Sequence, residues 1–246
     1  MDSSERLGFV HSWDTSIGVD GPGTRLVFFL AGCPLRCIYC ENPDTWCARA
    51  GQEMTIGEVD GLLDRFGQFI SVAGGGVTLS GGEPLSQVDF TRAVFQHAKA
   101  RGLHTALDTS GFLGHRADAA LLDATDLVLL DIKAGTEEMY RRLTSRALEP
   151  TLQFARRLAE RQQPVWVRYV LVPGYTDDFD QVDLVAKFMA SLGNVERVDV
   201  LPFHKLGAAK YETLGIPFPL ADNPVPTSEL VERVRARFES FNLAAA

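Results

Sequence analysis

The chain has 246 residues, of which 46% are hydrophobic, and its formal net charge at pH 7 is −8. This length and apolar content can bury one sizeable core, and we expect a single domain over residues 1–246. The acidic balance argues against a nucleic-acid partner, because phosphate binding needs clustered lysines and arginines. There is neither an apolar run of about 18 residues nor a signal-peptide layout, so we expect no membrane partner and a cytoplasmic protein.

Short apolar segments alternate along the chain with segments at helical spacing. The apolar segments predict strands at residues 24–30, 77–80, 105–109, 127–131, 165–171 and 198–202. Helices are predicted at 88–99 and, after a proline-rich loop at 217–226, at about 228–241. Strands that alternate with helices are typical of a parallel sheet with crossover helices. We therefore expect an α/β fold, a partial (β/α)6 barrel of parallel strands with outer helices.

Cysteines and polar residues lie directly after five of the six predicted strands. They occur at residues 33–40, 81–83, 108–109, 131–133 and 204. The carboxyl ends of parallel strands meet at one face of a barrel, where the connecting loops carry binding and catalytic groups. The sequence therefore predicts a functional site at this face.

Three of the four cysteines, Cys33, Cys37 and Cys40, have the spacing C-x3-C-x2-C. So few cysteines do not make a disulfide framework, and they indicate a reducing compartment. A [4Fe-4S] cluster takes one thiolate at each iron, so three thiolates leave one iron open to another ligand. A closed zinc site or a ferredoxin-type carrier needs a fourth ligand. Cys47 is the nearest candidate, but its spacing matches no common ferredoxin, and we expect a partly buried thiol outside the cluster.

The cysteine loop, with Tyr39 before its last cysteine, resembles the signature of the radical S-adenosylmethionine superfamily. The segment Gly81-Gly82-Glu83-Pro84 resembles the GGE element of that superfamily. The resemblance implies two cofactors, a [4Fe-4S] cluster on Cys33, Cys37 and Cys40, and S-adenosylmethionine on the fourth iron. It also implies that an electron from the cluster cleaves the sulfonium bond and gives methionine and a 5′-deoxyadenosyl radical.

Seven further segments narrow the resemblance to the activases of glycyl radical enzymes. They are Asp20-Gly-Pro-Gly-Thr-Arg25, Glu41-Asn-Pro-Asp-Thr-Trp46, Gly74-Gly-Gly-Val-Thr-Leu-Ser-Gly-Gly-Glu83, Leu107-Asp-Thr-Ser-Gly111, Leu130-Asp-Ile-Lys133, Arg168-Tyr-Val-Leu-Val-Pro-Gly174 and Leu201-Pro-Phe-His204. The sequence has no cysteine after Cys47, as in activases without a ferredoxin-like insert. The resemblance implies a glycyl radical enzyme as the protein substrate, flavodoxin or ferredoxin as the reductant, and a monomer.

The same resemblance implies a set of cofactor contacts and no catalytic residue beyond them. The implied contacts with adenosylmethionine are Tyr39, Cys40, Glu41, Gly82, Asp108, Asp131, Ile132, Lys133 and His204. Gly82 would meet the amino group, Lys133 the carboxylate and His204 the adenosine portion. A monovalent cation is implied beside Asp108, Thr109 and Asp131. Glu41 departs from the pattern, because activases often carry His or Gln at its position.

Two other functions are open at this point. The first is a radical adenosylmethionine enzyme that acts on a small molecule or on a different glycyl radical enzyme. Enzymes for small molecules share the cysteine loop and the GGE element, but not the segments at 20–25 and 41–46 together. The second is a noncatalytic iron–sulfur electron carrier, whose cluster spectrum would not respond to adenosylmethionine.

Overall fold

The computed structural model describes residues 5–246, and within them it has eight strands and eight α-helices. The strands are β1 (Leu7–Ile17), β2 (Thr24–Leu30), β3 (Gln52–Thr55), β4 (Gly76–Gly81), β5 (His104–Thr109), β6 (Leu127–Asp131), β7 (Val165–Leu171) and β8 (Val195–Pro202). The helices are α1 (Ile56–Val72), α2 (Val88–Ala100), α3 (Ala119–Asp123), α4 (Glu137–Thr144), α5 (Glu149–Glu160), α6 (Phe179–Leu192), α7 (Ala208–Thr213) and α8 (Ser228–Glu239). The first four residues, on which part of the signal-peptide prediction rests, lie outside the described residues.

The strands form one sheet in the order β3-β1-β2-β4-β5-β6-β7-β8. The pairs β2 with β4, β4 with β5 and β7 with β8 are parallel. Strand β1 runs antiparallel to both β2 and β3. Since β3 and β8 are the two edges, the sheet is open, and this mostly parallel order fits a partial barrel. The predicted α/β class is confirmed.

All six predicted strands are present, with ends within three residues of the predicted ones, and the two predicted helices correspond to α2 and α8. The sequence did not predict β1 and β3. The second half of β1 is largely exposed and β3 has only four residues, so neither has the apolar run of a buried strand. No helix in residues 5–246 is both long and apolar enough to cross a membrane.

Contacts within the described chain group it into two compact units. The first contains the residues as far as Pro34, together with Thr45–Thr109 and Leu113–Leu129. The second contains Leu35–Asp44, Ser110–Phe112 and Leu130–Ala246. Cys33 thus belongs to the first unit, and the other two cysteines of the motif belong to the second. That the chain is a single domain stays a prediction.

A fully buried arginine joins three strands of the first unit near their N-terminal ends. The guanidinium of Arg25 in β2 donates to the hydroxyl of Thr78 at 2.9 Å and to the carbonyl of Val77 at 2.5 Å. It also lies 3.1 Å from Nδ1 of His104 in β5. Burial lowers the pKa of Arg25 to about 10, although acidic groups, above all Asp126, act against this effect. The side chain is therefore still a cation at neutral pH, with its donors directed at the neighbouring strands.

The glycines at positions 75 and 76 are required by the close packing of this end of the sheet. A Cβ at Gly75 would lie 1.7 Å from the carbonyl oxygen of Thr24. A Cβ at Gly76 would lie 1.9 Å from the carbonyl oxygen of His104. Any side chain would separate the strands at these points. This glycine run therefore serves the fold, at the opposite end of the strands from the predicted site.

A hydrophobic cluster in the second unit supports the segment that carries two of the cysteines. Its buried members are Tyr39, Ala134, Tyr140, Leu143, Leu148, Val172, Phe203 and Leu220. Cys37 and Ile38 pack against it. The backbone N–H of Ile38 donates to the carbonyl of Leu143, and that of Arg36 donates to Thr144, each at 2.9 Å. The segment is thus fastened to the last turn of α4.

We expect Arg25→Met to lower the free energy of unfolding by about 3 kcal/mol, because buried acceptors on β4 lose a charged donor. Urea titration of the purified protein measures this change. The matched control is Arg156→Met, since Arg156 is exposed and its salt bridge to Glu149 spans 3.0 Å. The control should change stability by less than about 0.5 kcal/mol. Equal losses in the two variants would contradict the structural role of Arg25.

Candidate active site

The three cysteines of the motif lie in a loop that backbone hydrogen bonds hold in place. The N–H of Cys33 donates to the carbonyl of Trp46 at 3.3 Å, and that of Cys40 donates to Cys37 at 3.1 Å, which closes a turn. The motif cysteines are half-buried, and none of the four cysteines, all within the described residues, forms a disulfide. Cys47 is exposed, whereas the sequence led us to expect a partly buried thiol.

Within residues 5–246, no three His, Cys, Asp or Glu side chains are gathered as a site for one metal ion. A four-iron cube makes a different demand, because each thiolate binds a separate corner. Burial raises the pKa of Cys37 to about 12, although the ammonium of Lys133 acts against the rise. A thiol must lose its proton to bind iron. Cys37 is therefore a neutral thiol at neutral pH.

A buried lysine lies in the second unit beside the cysteine segment. Nζ of Lys133, just after β6, is 3.0 Å from Oδ2 of Asp131 and 5.8 Å from the ring centroid of Tyr39. Burial alone would lower the pKa of Lys133, but its acidic neighbours, above all Asp131, together outweigh burial and hold the pKa well above the usual value. The lysine therefore remains a cation, and its salt bridge occupies only one of three N–H donors.

Two neighbours of this ion pair were also predicted to contact a ligand. The side chain of Tyr39 is buried, and its hydroxyl has no hydrogen-bond partner among the described residues. Burial raises the pKa of Tyr39 well above its usual value, so this hydroxyl is a neutral donor. Ile132 is buried as well, and its N–H donates to the carbonyl of Arg168 at 3.1 Å.

His204, after β8, pairs with the acidic residue that follows the last motif cysteine. Its Nε2 lies 2.8 Å from Oε1 of Glu41. Its Nδ1 accepts the backbone N–H of Leu206 at 3.3 Å, so the proton of the neutral ring belongs on Nε2 and is donated to Glu41. The structure thus joins two residues that the sequence predicted separately.

The segment after Cys40 is also held by α7, through contacts that were not predicted from the sequence. Nζ of Lys210 in α7 lies 2.6 Å from Oδ1 of Asn42 and 3.2 Å from Oδ2 of Asp44. A Cβ at Gly207 would lie 2.9 Å from Cα of Glu41, so the two backbones touch. Lys210 and Asn42 are 168 positions apart, and no local spacing could have paired them.

In the first unit, buried hydroxyls bind the acidic residues at the ends of β4 and β5. The hydroxyl of Ser80 donates to Oδ2 of Asp108 at 2.5 Å, and that of Thr109 donates to Oε1 of Glu83 at 2.7 Å. Glu83 is fully buried, and the same oxygen accepts the N–H of Leu85 at 3.1 Å. The Glu83 carboxylate therefore stabilises the loop in which it lies.

The glycine of the GGE element that was predicted to meet the ligand is also packed against its own chain. The N–H of Gly82 donates to the carbonyl of Leu30 at 2.7 Å. A Cβ there would lie 2.6 Å from the carbonyl oxygen of Gly32. We expected a side-chain-free backbone here for the approach of a ligand. Packing against the loop after β2 already requires a residue without a side chain at this position.

The predicted site residues divide between the two units. The first unit contains Cys33, Gly82, Asp108 and Thr109, and the second contains Cys37, Tyr39, Cys40, Glu41, Asp131, Ile132, Lys133 and His204. Within the second unit, the structure brings Lys133 together with Asp131 and Tyr39. It brings Glu41 together with His204 in the same unit.

Comparisons with known proteins agree with the cysteine motif. The model of the Radical SAM superfamily matches residues 27–184. The pyruvate formate-lyase 1-activating enzyme of Escherichia coli (strain K12) is 40% identical over 238 residues, 96% of each chain. The pyruvate formate-lyase-activating enzyme of Staphylococcus aureus (strain USA300) is 43% identical over 232 residues, 92% of each chain.

The fold agrees with a solved structure of the same superfamily. A radical SAM methyltransferase from Sphaerobacter thermophilus matches with a TM-score of 0.64, over 94% of this chain and 67% of that one. Its sequence identity is 16%, so this similarity concerns the fold alone. The family match and the two relatives, in contrast, are similarities of sequence. The chain therefore belongs to the radical SAM superfamily and, within it, to the family of the pyruvate formate-lyase-activating enzymes.

Proposed function

We propose that this protein activates a pyruvate formate-lyase by installing a radical on one of its glycines. The proposal rests on the C-x3-C-x2-C motif in a chain that is 40% to 43% identical to two such activating enzymes over more than nine-tenths of its length. When bound, the cluster and adenosylmethionine supply a 5′-deoxyadenosyl radical that takes a hydrogen atom from the glycine α-carbon. The protein is thus a radical SAM oxidoreductase of the formate C-acetyltransferase-activating type.

The motif cysteines are the proposed ligands of the [4Fe-4S] cluster. Cys33, Cys37 and Cys40 supply three thiolates and leave the fourth iron to the amino and carboxylate groups of adenosylmethionine. The donor set fits this role, because no disulfide occupies these sulfurs and a turn joins the last two. Cys47 is exposed and belongs to no such turn with the others.

Chain groups near these cysteines have the chemistry that adenosylmethionine requires. The buried Lys133 ammonium can hold the carboxylate of its methionine portion, since two of its donors are not used by Asp131. The buried hydroxyl of Tyr39, which lacks a protein partner among the described residues, can donate to a bound group. Glu41 fixes His204, whose predicted role is at the adenosine portion. Gly82, Asp108, Asp131 and Ile132 stay predicted contacts.

The remaining partners belong to the same proposal. Flavodoxin or ferredoxin delivers one electron to the cluster, and the protein works in the cytoplasm as a monomer that binds its lyase transiently. The glycine loop of the lyase enters the open side of the barrel, and the docked lyase excludes water. A monovalent cation at Asp108, Thr109 and Asp131 stays a prediction, which their oxygen atoms support.

The proposal is tested by mixing the anaerobically reconstituted protein with dithionite, adenosylmethionine and pyruvate formate-lyase. We expect a glycyl doublet in the electron paramagnetic resonance spectrum, and none when adenosylmethionine is left out. A competent lyase without a doublet would contradict the assignment of the partner. A cluster spectrum that adenosylmethionine leaves unchanged would favour the electron carrier.

Alanine in place of Cys33, Cys37 or Cys40 should abolish the four-iron cluster, because each thiolate is expected to hold one corner. Iron and sulfide analysis after reconstitution measures this loss, together with the absence of adenosylmethionine cleavage. Cys47→Ala is the matched control and should keep full iron content and activity. A loss of the cluster in that control would place Cys47 among the ligands.

Lys133→Met should raise the KM for adenosylmethionine roughly ten- to a hundred-fold, because a charge-assisted contact worth about 1.5–3 kcal/mol disappears. Methionine release in the presence of dithionite gives KM and kcat separately. The matched control is Lys187→Met on α6, whose side chain is exposed and should leave both constants unchanged. An unchanged KM in Lys133→Met would remove this lysine from the ligand contacts.

A further inference from the structure

Helix α7 contacts the loop that carries the proposed cluster ligands, although no residue of this helix was predicted from the sequence. Three residues are involved, Gly207 directly before the helix and Lys210 and Tyr211 within it. The helix and residues 35–44 belong to the same compact unit. The contacts centre on Cys40 and on the segment that follows it.

The closest of these contacts is at Gly207. A Cβ there would lie 2.9 Å from the carbonyl oxygen of Glu41 and 3.2 Å from that of Cys40. Both neighbours are backbone atoms, which cannot turn aside as the end of a side chain can. The φ angle of Gly207 is −73°, which any residue adopts, so space and not backbone conformation requires the glycine. The chain before α7 therefore packs directly on the backbone of the last motif cysteine.

One ammonium group holds the segment that follows Cys40. Nζ of Lys210 lies 2.6 Å from Oδ1 of Asn42 and 3.2 Å from Oδ2 of Asp44. A lysine has three N–H donors, so Lys210 can bind both acceptors at once. The Lys210 and Asp44 side chains are 38% and 24% exposed, so water screens this pair only in part. Lys210 therefore fixes two residues that lie shortly after a proposed cluster ligand.

The phenol of Tyr211 lies beside two of the motif cysteines. The side chain is buried, and its ring centroid is 4.8 Å from that of Phe218. Burial raises the pKa of Tyr211 well above its usual value, and the charges of Cys40 and Cys37 act in the same direction. A hydrogen bond with the backbone of Cys40 acts against this rise. Tyr211 is therefore a neutral phenol whose oxygen adjoins the Cys40 backbone.

Different helices hold the loop on the two sides of its last turn. Before the turn, the N–H of Ile38 donates to the end of α4. After the turn, α7 holds the chain through Lys210 and Asn42. Groups around the ligands of a metal centre fix their orientation, and burial and hydrogen bonding at the sulfurs set the potential of an iron–sulfur cluster. Helix α7 is placed to do both at Cys40.

We propose that Lys210 and Tyr211 are positioning residues for the cluster. Lys210 holds the chain after Cys40 in place, and the Tyr211 hydroxyl stabilises the negative charge that reduction adds beside Cys37 and Cys40. The inference rests on the proposed function, because only a chain that binds a cluster needs its ligands fixed in this way. Neither side chain bonds to iron in this proposal, so both act through the cysteines.

The first experiment measures how fast the anaerobically reconstituted protein loses iron to a chelator. Lys210→Met should release iron about ten-fold faster than the unmodified protein, because the segment after Cys40 loses its charged partner. Lys210→Arg keeps the charge and should restore most of the retention, which keeps the test valid if the methionine variant folds poorly. Retention in Lys210→Met equal to that of the unmodified protein would overturn the role of this lysine.

The matched control for the lysine is Lys99→Met in the first unit. Lys99 is 42% exposed, and its Nζ lies 2.6 Å from Oδ1 of Asp126, so a similar ion pair is lost far from the cysteine motif in sequence. Iron release in this control should stay within about two-fold of the unmodified protein. Equal acceleration in Lys99→Met and Lys210→Met would show a general loss of stability and overturn the proposal.

The second experiment measures the midpoint potential of the cluster by redox titration, with electron paramagnetic resonance as the readout. Tyr211→Phe keeps the ring and loses only the hydroxyl, so the potential should fall by about 59 mV, a ten-fold change in the one-electron equilibrium. The matched control is Tyr169→Phe, which loses another buried hydroxyl, one that donates to the carbonyl of Thr176 at 2.7 Å. Its potential should not change. Equal potentials in the two variants would overturn the role of Tyr211.

Failure of the proposed function looks different from failure of this inference. If only the proposed function fails, the unmodified protein gives no glycyl radical, yet iron release still depends on Lys210 and the potential on Tyr211. If only the inference fails, the radical forms in the unmodified protein, and the variants of α7 match their controls in iron release and in potential.

Discussion

The cysteine loop cannot fix its own shape, and the candidate site depends on hydrogen bonds that reach it from elsewhere in the chain. A loop without regular structure must find partners for its backbone donors. Cys33 finds one at Trp46, whereas Arg36 and Ile38 find theirs at the end of α4. Arg36 and Ile38 flank Cys37, so a distant helix holds this part of the loop, whereas the turn that joins Cys37 to Cys40 is local. A loop held in this way keeps its thiols in position without a disulfide, so all three sulfurs are available as ligands.

The buried ion pair of Lys133 and Asp131 provides charge where the loop provides thiols. A cation in an apolar setting is costly unless a partner stands beside it, and the 3.0 Å contact with Asp131 meets that need. The same ammonium acts against the rise in the pKa of Cys37. One side chain thus favours the thiolate form of Cys37 and keeps further donors for another anion. Packing positions the Lys133 ammonium before any ligand binds, so no rearrangement is needed at that step.

The sequence predicted the buried strands of the sheet and the polar residues after them. It did not predict the exposed strand β1 or the contacts between residues that are far apart in the chain. Buried strands such as β4 and β6 are short apolar runs, so their ends, and the polar residues that follow them, could be located. Strand β1 is largely exposed over its second half and gave no such signal. The pairing of His204 with Glu41 joins distant positions, which periodicity cannot do. Gly82 was predicted from the approach of a ligand, which stays a prediction, and the contact with the backbone of Gly32 gives a further reason for a glycine there.

The two kinds of positive charge in the second unit act over different ranges. Lys133 is buried, so little water screens it, and it acts on groups within a few ångströms. Exposed arginines of the same unit, such as Arg141 and Arg142, act through water over about a Debye length, near 8 Å in physiological salt, and their effect falls as salt rises. A buried charge orients a ligand that has already bound, whereas an exposed one changes how often a partner arrives.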